Sequence, residues 1–295
     1  MMKALTLLLF GAALLASLAD CAFAVADAEV EGLQMPAWIV RDGQRSPLAV
    51  GAQLRNRDEI MSGAGSRVLL RMADGSTVKL GENARFRLDG MAQERRDKSL
   101  FRASLGVIEG AFRFTTEAVY KFRGRREVDV QFATVTAGIR GTDLWGKSAT
   151  DRDIVCLIEG KITVTRPGAA PIAMQDAQTV LQAPRQTEPL PPAPVDPAQL
   201  AKWAAETEIE AGAGSAHKGG RWKVYLCHSP TRTEAEATSA RLHEAGYATQ
   251  LITQRDSGNT VFWVYLDALP SRSEARALAH RLRGQMGITE TSVTF

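Results

Sequence analysis

Histidine, cysteine and serine are the residue types whose spacing would most directly reveal metal or nucleophilic chemistry in this chain. The histidines and cysteines show neither a His-Glu-x-x-His helix nor the paired spacing of a metal site. They stand at His217, His228, His243 and His280, and at Cys21, Cys156 and Cys227. No Gly-x-Ser-x-Gly turn occurs, and no serine or cysteine has an evident base partner. We therefore expect no metal, no cofactor, no catalytic residue and no enzymatic activity, although two carboxylates that meet from distant positions would escape this test.

A repeat in the C-terminal segment places aromatic side chains in a regular pattern. Val224-Tyr225-Leu226 returns 40 residues later as Val264-Tyr265-Leu266, and Thr231-Arg-Thr-Glu234 returns as Ser271-Arg-Ser-Glu274. The second motif is a capping box, in which the two side chains satisfy each other's backbone amides at the start of a helix. Residues 221–295 are therefore predicted to form an α+β domain of βαββαβ topology, related to the ferredoxin fold. Its strands are expected at 222–227, 249–254, 261–266 and 292–295, and its helices at 231–245 and 271–286.

Strand alternation within this fold predicts which side chains face solvent. The helices cover one face of the four-stranded sheet, and the first and third strands lie side by side at its centre. The face beneath the helices should hold Val224, Leu226, Val264 and Leu266, packed against Ala275, Leu278, Ala279 and Leu282. The open face should carry Lys223, Tyr225, Cys227, Trp263, Tyr265 and Asp267. Three exposed rings mark a candidate binding site, because exposure of apolar surface to water costs free energy that a partner recovers when it covers the rings.

Residues 25–183 have the composition of a strand-rich domain and contain no convincing helix. Alternating apolar residues flank Asp74-Gly75, an arrangement typical of a β-hairpin. Similar patterns of strand, turn and strand surround Glu109-Gly110 and Glu159-Gly160. We expect an all-β sandwich or roll.

Charge gives little indication of a partner. The formal net charge of the chain is +3, which does not by itself demand a nucleic acid or a membrane. Arg140, which lies between Gly138 and Gly141, is predicted to pair with Asp143 at a tight turn. Contact with an anionic ligand is the alternative role for this arginine.

Two further segments differ in composition from the predicted domains. Residues 1–24 place Lys3 before an apolar run and an Ala22-Phe23-Ala24 cleavage pattern, which predicts a signal peptide. We expect a soluble, periplasmic mature chain without a transmembrane segment, with lipid attachment at Cys21 as the alternative. Residues 184–220 are rich in proline and then in glycine, which predicts a linker with a short helix at 199–209. The two remaining cysteines then lie in different domains, so no disulfide framework is expected.

Motifs in the strand-rich domain resemble FecR-type domains. The resemblance covers most of residues 45–165, and it rests on Gly51-Ala-Gln-Leu54, Asp58-Glu-Ile60, Asp74-Gly-Ser76 and Thr136-Ala-Gly-Ile-Arg-Gly-Thr-Asp143. It implies an all-β module of the cell envelope. FecR-type proteins that regulate sigma factors carry a cytoplasmic segment and a membrane helix before this domain. Because the sequence shows neither, direct anti-sigma action is not expected.

The C-terminal segment resembles a SPOR domain. That family shares the βαββαβ plan, the proline-rich linker before it and the C-terminal position. The resemblance implies binding of peptidoglycan glycan strands, especially those stripped of stem peptides at the division site. SPOR domains commonly show Gln and Gly in the first strand and Arg in the third, where this chain has Tyr225, Cys227 and Trp263, so an altered specificity is expected. RNA-recognition modules share the plan, but an exported protein meets no RNA.

Two functions of different class follow from these patterns. The first is a non-enzymatic envelope protein that binds peptidoglycan through the open face of the C-terminal sheet and presents a FecR-like domain, with an envelope protein as a further partner. The second is a periplasmic sensory or regulatory FecR-like protein whose C-terminal domain docks a protein partner. In that case the aromatic face is an interface with the β-domain or with a second copy of the chain.

Overall fold

The structure is a computed structural model that describes residues 27–93, 100–116, 125–256 and 259–295. The predicted signal peptide, with the alternative lipid attachment at Cys21, lies outside the described residues. Within the described ranges, no helix is long and apolar enough to cross a membrane. The chain forms an all-β region followed by a smaller α+β domain, which confirms both predicted fold classes.

The regular elements of the all-β region described by the structure are strands. They are β1 (Ala28–Gln34), β2 (Ala37–Arg41), β3 (Gln44–Pro47), β4 (Gln53–Leu54), β5 (Glu59–Ser62), β6 (Arg67–Met72), β7 (Thr77–Leu80), β8 (Arg85–Gln93), β9 (Leu100–Thr115), β10 (Arg125–Gln131), β11 (Thr136–Ile139), β12 (Asp143–Ser148), β13 (Arg152–Glu159), β14 (Ile162–Thr165), β15 (Ile172–Met174) and β16 (Thr179–Pro184).

Two sheets share the long strand β9. The first sheet contains the second half of β9 with β1, β4, β6, β7, β12, β13 and β16. The second sheet contains the first half of β9 with β2, β3, β5, β8, β10, β11, β14 and β15. Apolar side chains such as Phe86 and Phe112, whose rings stack 5.7 Å apart, are buried in the core of this region.

The predicted turn at Glu109-Gly110 is wrong, because β9 continues through it. Gly110 has a φ of 84°, and a Cβ at this position would lie 2.6 Å from the Cα of Ala84. A glycine in the left-handed region lets the strand bend from the second sheet into the first without ending. In sequence, such a glycine has the same appearance as a turn glycine.

The other two glycine turns connect strands, but only one of them makes a hairpin. At Asp74-Gly75, β6 and β7 pair antiparallel, which confirms the predicted hairpin. At Glu159-Gly160, β13 pairs within the first sheet and β14 within the second. This second turn, with Gly160 at a φ of 96°, therefore carries the chain from one sheet to the other.

The predicted ion pair between Arg140 and Asp143 is also wrong. Asp143 accepts hydrogen bonds from Nε and Nη2 of Arg113 at 2.9 and 2.7 Å, across the register of β9 and β12. The hydrogen bond to Asp143 raises the pKa of the Arg113 guanidinium against the effect of burial. Arg140 is left exposed.

Residues 184–220, predicted to be a linker, pack against the all-β region and include β17 (Ala193–Pro194), helix α1 (Pro197–Thr207) and β18 (Ala216–His217). Asp196 caps α1 and Pro197 begins it, as helix starts favour. Trp203 of α1 stacks on the buried Trp145 of the first sheet, with ring centroids 4.7 Å apart. The predicted short helix is therefore present. The domain boundaries stay a prediction.

The C-terminal domain has the predicted βαββαβ order. Its elements are β19 (Trp222–Ser229), α2 (Arg232–Glu244), β20 (Gln250–Asp256), β21 (Asn259–Leu269), α3 (Arg272–Leu282) and β22 (Ser292–Thr294). The sheet has the antiparallel order β20-β21-β19-β22, so the first and third strands are central neighbours as predicted. Helix α3 ends at Leu282, four residues earlier than expected, and is capped by Arg283.

The capping boxes of the repeat are only half formed. Thr231 and Ser271 accept hydrogen bonds from the backbone amides of Glu234 and Glu274, at 3.4 and 3.2 Å. The carboxylate of Glu274 does not return the bond to Ser271. It accepts hydrogen bonds instead from the backbone amides of Gly212, Gly214 and Ser215 at 2.6, 2.7 and 3.0 Å.

The C-terminal domain rests on the all-β region near Trp38. The indole Nε1 of Trp38 donates to the carbonyl of Glu244 at 3.0 Å, and the amide of Ala37 donates to the carbonyl of Gly246 at 3.1 Å. A Cβ on Gly246 would lie 2.7 Å from the Trp38 ring. One cluster of buried apolar side chains runs through both regions.

Candidate functional site

The helix-free face of the C-terminal sheet brings together the three predicted rings. Tyr225 on β19 lies opposite Tyr265 on β21, with ring centroids 5.5 Å apart. Trp263 meets Tyr225 edge to face at 5.4 Å. The side chains predicted to lie beneath the helices are all buried, namely Val224, Leu226, Val264 and Leu266. The face that carries the rings is therefore the one without helices.

A β-bulge in β19 changes the predicted alternation. Tyr225 pairs with Tyr265, but the next pairs are Cys227 with Val264 and His228 with Trp263. One extra residue in a strand reverses the faces of those that follow. His228, not Cys227, therefore contacts Trp263 on the open face, with ring centroids 4.7 Å apart. Cys227 is half-buried and packs against the core.

Polar side chains surround the rings. The Nζ of Lys223 lies 5.0 Å from the centroid of the Tyr265 ring, a cation–π distance. The hydroxyl of Tyr265 donates to Oε1 of Gln250 at 2.8 Å, and Nε2 of Gln250 donates to Oδ2 of Asp267 at 2.9 Å. Tyr265 is only 8% exposed, so the prediction of three exposed rings is wrong for this residue. Tyr225 and Trp263, which are half-buried, offer more of the open ring surface.

Gln250 and His228 are among the residues of this face that were missed from the sequence, for different reasons. Gln250 stands opposite Tyr265, and the same alternation rule, applied to the second strand, would have found it. His228 had no such signal, because a period of two residues cannot reveal a bulge. Both side chains add hydrogen-bonding groups beside the rings.

A small cavity of about 200 Å³ lies beside Trp263. It is lined by Tyr225, Leu226, Cys227, His228, Trp263, Thr289, Glu290, Thr291 and Ser292. Drug-sized ligands occupy pockets of roughly 300–1,000 Å³, so this cavity suits one substituent of a larger ligand. Three of the lining residues, Thr289, Thr291 and Ser292, carry hydroxyl groups.

The described residues give no indication of redox or metal chemistry. Among them, no group of three or more His, Cys, Asp and Glu side chains is arranged to hold a metal ion. Cys156 and Cys227 are free thiols. Burial raises the pKa of Cys156 to about 12 and also raises that of Cys227, and a protonated thiol is a poor nucleophile. The rings and polar side chains of the open face are groups that can bind a ligand by stacking and hydrogen bonding.

Comparison with protein families matches both parts of the chain. Residues 58–163 match the family described as FecR protein, and residues 198–294 match the SPOR domain. The SPOR match begins at 198, so it includes nearly all of α1. The fold and these matches define a cell-envelope protein built from domains of regulatory and peptidoglycan-binding families, neither of them catalytic. The chain has a FecR domain followed by a C-terminal SPOR domain.

Two crystal structures of a candidate anti-sigma factor from Parabacteroides distasonis are similar to the chain, both with a TM-score of 0.40. One is 12% identical in sequence and the similarity covers 69% of this chain and 97% of that protein. The other is 14% identical, with coverage of 68% and 96%. No curated protein matches the chain.

Proposed function

We propose that this protein is an exported, non-enzymatic component of the periplasm that binds peptidoglycan glycan strands through the open face of its SPOR domain. The observation that carries the proposal is the placement of Tyr225 and Trp263 side by side on that face. The FecR domain is then held at the cell wall, where it meets a further envelope partner.

Each residue of the face has a distinct role in this proposal. Tyr225 and Trp263 stack on the apolar faces of consecutive sugar rings, since aromatic side chains combine large contact area with low conformational freedom. Lys223 and Asp267 supply hydrogen bonds to hydroxyl and amide groups of the glycan. The hydroxyl of Tyr265 donates its proton to Gln250, so its oxygen is free to accept a hydrogen bond from the glycan. Cys227 contributes only to the wall of the cavity beside Trp263.

His228 and Gln250 extend this set. The rings of His228 and Trp263 contact each other at a tilt of 40°, and both residues line the cavity. Gln250 fixes the Tyr265 hydroxyl and the Asp267 carboxylate in position through two hydrogen bonds. These contacts organise the face before the ligand arrives, which lowers the entropy cost of binding.

Cosedimentation of the full chain with purified sacculi tests the proposal. Trp263→Ala should weaken binding about tenfold, equivalent to ~1.4 kcal/mol, because it removes a ring that lies on the open face and also lines the cavity. Leu251→Ala is the matched control: Leu251 is 39% exposed on the same sheet but lies opposite Val264, away from the open face. Circular dichroism should confirm that both variants fold.

If Trp263→Ala sediments as well as the parent, the proposed site is misplaced.

A second candidate function is favoured by one observation, namely that Tyr265 is nearly buried and its hydroxyl is already bonded to Gln250. A face with fewer exposed rings has less surface for stacking on sugars. It would suit a regulatory protein whose C-terminal domain docks a protein partner. Absence of sedimentation by the parent chain itself would support that alternative.

A further inference from the structure

The FecR domain has a groove of about 820 Å³ on its second sheet, separate from the SPOR face. Strands β10, β11, β14 and β15 contribute to it, and Arg140, Lys161, Asp129 and Gly138 are among the residues that line it. It therefore contains the arginine whose predicted partner, Asp143, is engaged elsewhere.

Two free cations lie together at one end of this groove. Ile139 pairs with Ile162 in the register of β11 and β14, and the residues next to this pair are Arg140 and Lys161. Both are exposed, and in the part of the chain that the structure describes neither makes an ion pair or a side-chain hydrogen bond. Like charges side by side across two strands destabilise a sheet, so an anion bound between them would offset this cost.

A free carboxylate lies one step along the groove. Asp129 on β10 is exposed and pairs with Gly138. Its carboxylate makes no ion pair or hydrogen bond within the described ranges. Gly138, which pairs with Asp129, precedes Arg140 by two residues. Two residues of a strand span about 6.6 Å, so Asp129 lies about that far along the groove from Arg140. The remaining acidic residue of the groove, Glu127, is bonded to Arg102 at 2.8 Å.

The glycine in the floor of the groove has no conformational reason to be a glycine. Gly141 and Gly160, close by, have φ values of 73° and 96°, which favour glycine. Gly138 does not have a positive φ, and a Cβ there would meet only Asp129 Oδ1 at 3.5 Å and the carbonyl of Thr163 at 3.6 Å. Both are ordinary contact distances. The absence of a side chain at Gly138 therefore serves to keep the floor of the groove open.

We propose that this groove binds a short zwitterionic peptide, with a ligand carboxylate between Arg140 and Lys161 and a ligand ammonium group at Asp129. Stem peptides of peptidoglycan that contain a diamino acid carry both groups. The choice of this source rests on the proposed function, which brings the chain to the cell wall. The SPOR domain then contacts the glycan while the FecR domain contacts neighbouring peptides.

Calorimetric titration of the full chain with N-acetyl-L-Ala-γ-D-Glu-meso-diaminopimelic acid tests the inference. The Arg140→Gln, Lys161→Gln double variant should bind this tripeptide at least about tenfold more weakly, the equivalent of losing one charge-assisted hydrogen bond. Asp129→Asn should weaken binding of the tripeptide but not of an analogue in which lysine is acetylated at Nε and replaces the diamino acid. Lys202→Gln, which removes an exposed cation from α1, should bind like the parent.

Gly138→Val places a side chain in the floor of the groove, beside Asp129, while preserving the fold. Its Cβ meets only ordinary contacts and valine favours strands, so the variant should unfold like the parent and yet lose the tripeptide. The inference is overturned if Gly138→Val or the double variant binds the tripeptide with the affinity of the parent, or if the parent does not bind it.

Glycan strands freed of peptides separate this inference from the proposed function. The groove variants should sediment with such strands as the parent does. Trp263→Ala should bind the strands about tenfold more weakly and keep the affinity of the parent for the tripeptide. Loss of glycan binding alone would therefore contradict only the SPOR site, and loss of tripeptide binding alone in the parent would contradict only the groove.

Discussion

At the scale of single residues, Glu274 shows how a local motif can be put to another use. The repeat makes Glu234 and Glu274 equivalent capping-box residues. Glu234 bonds Ser229 within its own half of the domain, whereas Glu274 accepts hydrogen bonds from three backbone amides at 212–215. Glu274 thus joins helix α3 to the segment that leads into the SPOR domain, and it is 9% exposed.

The pH dependence of stability should reveal this bond set. Burial alone would raise the pKa of Glu274, but the hydrogen bonds from Gly212, Ser215 and Gly214 outweigh it and leave the pKa below the ordinary 4.5. A lowered carboxyl pKa gives stability that is present above about pH 4.5 and is lost as pH falls through the folded-state value. Glu274→Gln should therefore cost about 1–3 kcal/mol at pH 7 and flatten the decline of stability below pH 4.5. Urea unfolding at several pH values measures both effects.

Glu234→Gln is the control for that experiment, since it changes the same capping position without touching residues 212–215. It should lower stability less than Glu274→Gln at pH 7. An equal loss in the two variants would mean that the bonds to 212–215 do not contribute.

At the scale of elements, helix α1 covers an apolar surface on the first sheet. Its Trp203 and Leu200 pack against a cluster formed by Ala111, Trp145, Cys156 and Val195. Ion pairs border the contact, including Lys79 with Glu208 at 2.6 Å and Lys147 with Glu206 at 3.0 Å. The segment predicted to be a linker therefore covers the FecR domain as well as connecting it to the next domain.

The thiol of Cys156 is a probe for the docking of α1. With a pKa of about 12 and no exposed surface, it should not react with a disulfide reagent at pH 8 in a Cys21→Ser, Cys227→Ser background. Trp203→Ala removes a stacked ring pair worth up to about 1.5 kcal/mol, so labelling of Cys156 should become about tenfold faster.

Lys202→Ala, on the exposed side of the same helix, should leave the labelling rate unchanged. If Trp203→Ala reacts no faster than the parent, the contact between α1 and the sheet does not protect Cys156.

At the scale of the whole molecule, the two regions share one hydrophobic core. The buried cluster extends from the first strands to Ile288 near the end of the SPOR domain, and β18 pairs with β1 of the first sheet. Regions that share a continuous core are expected to unfold together. Trp38 lies at the contact, where it bonds the end of helix α2.

Scanning calorimetry should accordingly give one unfolding transition for the full chain. Trp38→Ala removes the indole hydrogen bond to Glu244 and its packing on Gly246, and it should split this transition into two. Two transitions in the parent chain would contradict a shared core, since the regions would then unfold independently.

The sequence by itself determined the features that depend on local patterns. The repeat of Val224-Tyr225-Leu226, the caps at Thr231 and Ser271 and the apolar face of α3 predicted the SPOR fold, because alternation and capping act within a few residues. The same rules predicted the hairpin at Asp74-Gly75. They also placed Tyr225, Trp263 and Tyr265 on one face.

Only the tertiary structure decided the features that depend on contacts between distant residues. Asp143 is paired with Arg113, 30 residues away in the sequence, and not with the nearby Arg140. Trp203 of α1 stacks on Trp145 of the first sheet. Gly110 bent a continuous strand where the sequence showed a turn, and a bulge turned His228 toward Trp263. In each case several local arrangements were compatible with the residues, and the packing of the whole chain selected one.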